Sequence, residues 1–215
     1  MLLSRIRVSP QALFRSGSQG SEAYAVHQLL WKMFSDGPER KRDFLFRNEG
    51  KESGLSLLVL SERAPVDVPG GVIITSKHYE PILREGDTFE FTVRINPILR
   101  SKLDGKRHDV MMHAKKTSTA GGTIDTLITK WLTARQEMLG CTFLPNSTFV
   151  SSYSPEKFRK RGHTIALTIC EVGGLLQVTR PELLQTALRA GIGSGKAFGC
   201  GLLLLRRVRS HACAA

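Results

Sequence analysis

The chain predicts an α+β fold made of two units in tandem, each approximating the order β-α-β-β-x-β. Three observations carry that expectation. Short stretches of period-two alternation recur in both halves, each half holds a patterned helix, and the composition turns basic and turn-rich between Ile98 and Gly122. A length of 215 residues suits one large or two small domains, and 41% hydrophobic residues is ordinary for a chain with a folded core.

In chain order, Leu2 to Val8 alternates, with Leu3, Ile6 and Val8 apolar, and reads as a first strand. Pro10 to Gly20 is rich in Gly and Ser. Ser21 is expected to cap a helix opening at Glu22. At about 100° per residue, Val26, Leu29, Leu30 and Met33 share one side of that helix, while Tyr24, His27, Gln28, Trp31 and Lys32 fall on the other. Asp36-Gly37-Pro38 stops it. Asp43 to Arg47 and Leu55 to Leu60 read as a hairpin turned at Asn48 to Lys51. Residues 61 to 87 read as loop, with local pairing open to Val72–Thr75, and Thr88 to Ile95 is the clearest strand of the first half, stopped by Asn96-Pro97.

In the second half, Thr123 to Leu139 carries Ile124, Leu127, Ile128, Trp131 and Leu132 at helical spacing. Phe143 to Tyr153 and Thr164 to Cys170 are strand-like and enclose a basic hairpin tip, Ser154 to His163. Leu175 to Val178 extends the pattern, Pro181 opens a helix at its first turn, and Leu202 to Val208 is a last strand. Each half thus follows the split βαβ order of ferredoxin-like (βαββαβ, RRM-like) domains, the first without a clear second helix. The expected division is an N-terminal domain at 1–97, a linker at 98–122 and a C-terminal domain at 123–215.

Lys and Arg number 31 against 19 acids, a formal charge of +12 and a pI near 10.0. That balance points to nucleic acid or an anionic membrane surface. No apolar run approaches ~18 residues, which disfavours the membrane. The four cysteines lack CxxC spacing and read as reduced thiols of a cytoplasmic protein, and the opening residues are too short and charged for a signal peptide. The histidines are dispersed without a ligand pattern, so neither metal nor cofactor is expected.

Three features bear on chemistry. Tyr24 and His27 sit one helical turn apart and can reach one point in space, with Lys32 about 140° from His27 around the axis. Such a set suits proton transfer at a phosphodiester, in which a ribose 2′-OH attacks the adjacent phosphorus. Alone the pair is more often structural than catalytic. The hairpin residues Lys157, Arg159, Lys160 and Arg161 concentrate charge at a tip that can track phosphates, or simply be solvated. Finally, Gly191 to Gly201 holds five alternating or near-alternating glycines around Lys196. It is no Walker loop, since Ala190 and Ala197 stand where Gly and Ser or Thr are needed, and it runs helix to strand instead of strand to helix. What remains is a turn that either holds a phosphate chain through Gly193, Gly195 and Lys196, or lets a helix pack on the next strand.

Taken together, Tyr24-x-x-His27 with Lys32 following, Arg42-Asp43-Phe44-Leu45-Phe46, Arg94-Ile95-Asn96-Pro97 and the glycine stretch resemble the CRISPR repeat-processing endoribonucleases of the type I-E Cascade complex. The resemblance spans essentially the whole chain. It implies two tandem ferredoxin-like domains that bind the stem-loop of precursor CRISPR RNA and cut once, without metal, at the 3′ base of the stem. It also implies a 2′,3′-cyclic or 3′ phosphate product and retention as a subunit among the other Cascade proteins, with no DNA bound directly by the isolated chain. His27 matches the acid/base, Tyr24 its partner and Lys32 a charge stabiliser, and the hairpin matches the groove-reading loop. The competing class is a non-catalytic RNA-binding subunit in which Tyr24 and Trp31 stack bases.

Overall fold

The computed structural model describes residues 1–15, 22–34, 37, 42–50, 54–68, 70–100, 105–116, 123–160 and 163–208. Two antiparallel sheets organise it. The first has the order β2-β3-β1-β4, from β1 (Leu2–Val8), β2 (Phe44–Gly50), β3 (Leu55–Ser61) and β4 (Val72–His78), with α1 (Pro10–Arg15) and α2 (Glu22–Phe34) between its first two strands. β1 lies between β3 and β4, as the ferredoxin-like order requires. Between β3 and β4 the described residues form no helix, as the sequence led us to expect.

β3 explains how this sheet is used. Its sequence, Leu55 to Ser61, is apolar in both phases of the pleat, and every residue except Ser56 is buried. Such a strand is covered on both faces. On one face Ile6, Val8, Phe44, Phe46, Leu57 and Val59 meet Val26, Leu29, Leu30, Met33 and Phe34 of α2. On the other, Leu3, Leu45, Leu58 and Leu60 join the core of the second domain. Each such leucine contributes on the order of 2–5 kcal/mol relative to Ala. The two domains are therefore joined through a shared apolar core.

The second sheet has the order β11-β5-β10-β8, with β9 pairing β10 off that path. Its strands are β5 (Thr88–Ile95), β8 (Cys141–Phe143), β9 (Phe149–Lys160), β10 (His163–Val178) and β11 (Leu203–Arg207). This corrects the expected division at 97. β5 pairs with β10 and β11, so the strand expected to end the first domain begins the second. The alternation Phe89, Phe91, Val93, Ile95 fits either sheet, because period two fixes which side chains are buried and not which strand lies alongside. Nor is 98–122 a linker. It includes a small hairpin of β6 (Ile98–Arg100) and β7 (Arg107–Asp109) and the helix α3 (Val110–Lys116), inserted between the first strand of the second domain and its first helix.

The helix expected over 123–139 is two pieces. α4 (Ile124–Thr133) is capped by the Thr123 side chain, which accepts from the Thr126 amide. The chain breaks at Ala134–Arg135 and resumes as α5 (Gln136–Leu139), ended by Gly140 at φ 69°. α6 (Pro181–Ala190) starts with proline in its first turn, as expected. The basic tip is also narrower than expected. β9 continues to Lys160, facing His163 of β10, so Ser154 to Lys160 is paired strand. Pro155 is tolerated there because β9 is an edge strand, paired among the described residues with β10 alone. No helix among the described residues is long and apolar enough to cross a membrane.

Candidate active site

His27 sits midway along α2, half-buried, on the side of the helix away from the apolar stripe. Trp31, one turn on, donates from its indole Nε1 to His27 Nε2 at 3.1 Å. The ring of Trp31 meets that of His27 edge-on and rests similarly on Phe44 of β2. On the other side of the imidazole, Arg42 Nη2 lies 3.2 Å from Nδ1. Arg42 stands just before β2 and is steadied by the Phe44 ring, its Cζ 5.3 Å from the centroid. Burial lowers the pKa of the Arg42 guanidinium below its usual value, yet that value is so high that the group stays cationic.

Indole and guanidinium are donors only, whereas a neutral imidazole has one acceptor nitrogen. Trp31 and Arg42 therefore cannot both hydrogen-bond to the ring at once. Both neighbours offer protons to His27 and neither can take one. A group with a free acceptor, such as a ribose hydroxyl or a phosphate oxygen, can resolve that conflict by taking one of the donors.

Arg42 also lines a cleft of about 340 Å³ between the domains, shared with Glu62, Arg189 and Lys196. Arg189 is tied to Glu62 at 3.6 Å, and Asp43 beside Arg42 is tied to Arg63 at 2.8 Å. The nearby acids are thus engaged with other arginines. Lys196 opens a short 3-10 turn, Lys196–Phe198, which α2 approaches together with β9. The helix carrying His27 thus lies against both the glycine loop and β9, the strand that leads to the basic hairpin tip.

The glycine loop is built for packing. All five glycines from Gly191 to Gly201 have φ between 72° and 95°. A Cβ on Gly191 would lie 2.9 Å from the Leu45 methyls, and one on Gly195 would lie 3.2 Å from Asn96 Cβ. The amides of Ile192, Phe198, Cys200 and Gly201 bond to backbone carbonyls of the loop or of Arg94. The loop therefore spends much of its donor capacity on its own fold, and its clearest offering to an anion is the Lys196 side chain.

The other expected residues divide as follows. Tyr24 lies in α2 one turn before His27, with its side chain outside the described residues. Lys32 is exposed in the last turn of α2, around the axis from His27. Lys157 is exposed on β9, the side chains of Arg159 and Lys160 lie outside the described residues, and so does Arg161 as a whole. The base of the hairpin is anchored by Arg94, which reaches Glu156 of β9 at 2.9 Å and Glu171 of β10 at 3.5 Å. Arg47 of β2 meets Glu171 at 3.3 Å, tying the first domain to the same network. Sequence reasoning gave Arg42 no role, although it lies in a quoted motif. The signal available was its place at the end of the run Arg40-Lys41-Arg42, directly before a buried strand.

The chain is 31% identical over 187 residues to the CRISPR system Cascade subunit CasE of Escherichia coli, covering 86% of this chain and 92% of that protein. It is 27% identical over 197 residues to the CRISPR-associated endoribonuclease Cse3 of Thermus thermophilus, covering 84% and 88%. The solved structure of CRISPR endoribonuclease Cse3 bound to 19-nt RNA superposes with a TM-score of 0.78 at 25% identity, over 96% of this chain and all of that one. Such agreement over both domains supports the tandem ferredoxin-like architecture. With a family model described as CRISPR associated protein matching residues 1–207, the chain belongs to that family of CRISPR-associated proteins.

Proposed function

We propose that this chain is an endoribonuclease that binds the stem-loop of a CRISPR repeat in precursor CRISPR RNA and cuts it at the 3′ base of the stem. The observation that carries the reading is His27 in contact with Arg42, the cation that lines the interdomain cleft with Lys196. The names of the relatives support it: one is a Cascade subunit, one an endoribonuclease, and the solved Cse3 holds RNA. The mature guide RNA stays bound, and the protein remains with it as a subunit of Cascade.

The chemistry follows from the residue types. The 2′-oxygen forms a bond to the adjacent phosphorus as the P–O5′ bond breaks, giving a 2′,3′-cyclic phosphate and a free 5′-hydroxyl. The proton leaving the 2′-OH and the proton reaching O5′ are moved by His27 with Tyr24 as its partner. Charge growing on the non-bridging oxygens is met by Arg42, with Lys32 as a further cation if its stem folds back. No step calls on a metal. The hairpin Lys157 to Arg161 enters the end of the stem, since the major groove of A-form RNA is too deep and narrow for most side chains.

The test is cleavage of a hairpin repeat RNA in EDTA. One cut at the stem base is expected, abolished by a 2′-deoxy residue at the cut site and by His27→Ala. Cutting that survives His27→Ala would remove His27 from its role. Wild-type protein that binds without cutting would favour the non-catalytic alternative, in which Tyr24 and Trp31 stack bases.

A further inference from the structure

The glycine loop borders two clefts. Lys196 lines the one beside Arg42, whereas Gly193 and Ser194 line another of about 570 Å³ on the second domain, with Asn96, Arg100, Arg107, Trp131 and Arg135. Three guanidiniums enter this second cleft, and among the described residues no acidic side chain lines it. Among the described residues none of the three has a carboxylate partner. Arg100 donates to the Gly105 carbonyl at 3.2 Å and Arg135 to that of Trp131 at 2.6 Å. The Arg135 Cζ also sits over the indole of Trp131, 3.6 Å from the ring centroid.

Asn96 adds an unpaired donor. It is 2% exposed, borders the cleft, and its Nδ2 has no hydrogen-bond partner among the described residues. A buried donor left unpaired is destabilising, and so is a cluster of like charges without counterions. An acceptor carrying negative charge relieves both. The outer face of the Arg135 guanidinium, backed by Trp131, is in addition a plane on which a base can stack.

We infer that this cleft holds a phosphodiester of the unpaired RNA flanking the repeat stem, gripped by Arg100, Arg107 and the Asn96 amide, with the neighbouring base on Arg135. The inference rests on the RNA binding proposed above, and not on the cutting. Lys196 and Ser194 are two residues apart, a span of at most ~7 Å. A strand passing Lys196 therefore comes within reach of the second cleft.

The experiment measures binding of wild type, Arg107→Ala and Arg100→Ala to two RNAs over a series of salt concentrations. One RNA is the stem-loop with its unpaired flanks and a 2′-deoxy residue at the cut site; the other is the stem-loop alone. Each substitution should weaken the flanked RNA by about tenfold, the lower range for a charge-assisted hydrogen bond. It should also make the salt slope shallower by ~0.7, with the stem alone bound as before. Equal weakening of both RNAs would overturn the inference in favour of a diffuse electrostatic effect, and no weakening of either would overturn it outright. Arg107→Glu, a charge reversal at an exposed position, should exceed Arg107→Ala on the flanked RNA only. Because no cutting is measured, failure of the nuclease reading would appear separately, as an uncut hairpin in the cleavage test.

Discussion

Removing the charge at Arg42 tests the proposed site most directly, because its position beside His27 sets the size of the effect to be expected. Nη2 lies 3.2 Å from His27 Nδ1, so a phosphate engaged by the imidazole has its reacting oxygens roughly 6 Å from the guanidinium charge. At an effective dielectric of about 20, one unit of charge at that distance is worth about 2.8 kcal/mol. Passing from phosphodiester to pentacoordinate transition state adds about one negative charge. Arg42→Ala should then slow the chemical step by about 100-fold. Arg42→Lys keeps the charge but not the planar fork or the seat on Phe44, and should recover about tenfold of the loss.

The assay is single-turnover cleavage with protein in excess and above saturation, so that weaker RNA binding does not enter the rate. Thermal unfolding of each variant checks that loss of the Phe44 contact has not disturbed the fold. A saturating rate for Arg42→Ala within a few-fold of wild type would refute the electrostatic role. If Lys fares no better than Ala, the arginine acts by holding the imidazole and not by its charge.

Three further outcomes follow from the packing. Burial pushes the thiols of Cys141, Cys170 and Cys200 up to about 12, leaving on the order of 10⁻⁴ of each ionised at pH 8. In a Cys213→Ser background, native protein should resist iodoacetamide and take three labels once unfolded; rapid native labelling would contradict the burial. Because the folded pKa values lie above the unfolded ones, the thiols' contribution to stability is intact below pH ~9 and lost as pH rises towards about 12. Gly140→Ala places a Cβ 2.7 Å from Leu183 Cβ, 2.9 Å from the Leu184 amide and against the Arg180 carbonyl, at φ 69°. It should cost about 3 kcal/mol and lower Tm by roughly 6–12 °C. Gly86→Ala, at φ 83° with nothing within 4 Å, should cost only about 1 kcal/mol. Glu171→Gln removes the carboxylate shared by Arg47 and Arg94 and should cost about 1–2 kcal/mol in urea unfolding, discounted because these side chains are about a fifth exposed. No change would mean the network adds nothing to domain docking.

The sequence showed the elements more clearly than their partners. Apolar periodicity depends on each strand's own burial, so β1, β3, β5 and β10 and the helices α2, α4 and α6 were visible locally. The sheet to which β5 belongs depends on residues 75 or more positions away, and its alternation carries no trace of them. The double-phase pattern of β3 did hold that information. Its leucines on both faces indicate that the first sheet is covered twice, by α2 and by the second domain. The residues 98–122 misled because a charged, turn-rich insertion has the composition of a linker, while its β6–β7 hairpin and α3 are too short to show a period.

The site was legible where one helix turn settles geometry and illegible where the contact is tertiary. The i to i+4 spacing already placed Trp31 on the His27 face, and the structure turns that adjacency into a hydrogen bond. Arg42 reaches the same imidazole across 15 residues of chain, with only its charge beside a buried strand to mark it. The glycine stretch shows the opposite difficulty. Its composition suggests a phosphate cradle, yet its positive φ values are matched by close contacts with Leu45 and Asn96, and the amides at its two ends, 191–192 and 198–201, bond within the protein. Glycine here lets a loop pass between two domains closely enough to present Lys196 beside Arg42. If that is its purpose, Lys196→Ala should weaken RNA binding while leaving Tm unchanged, and Gly195→Ala should lower Tm first and affect RNA only through the misplaced lysine.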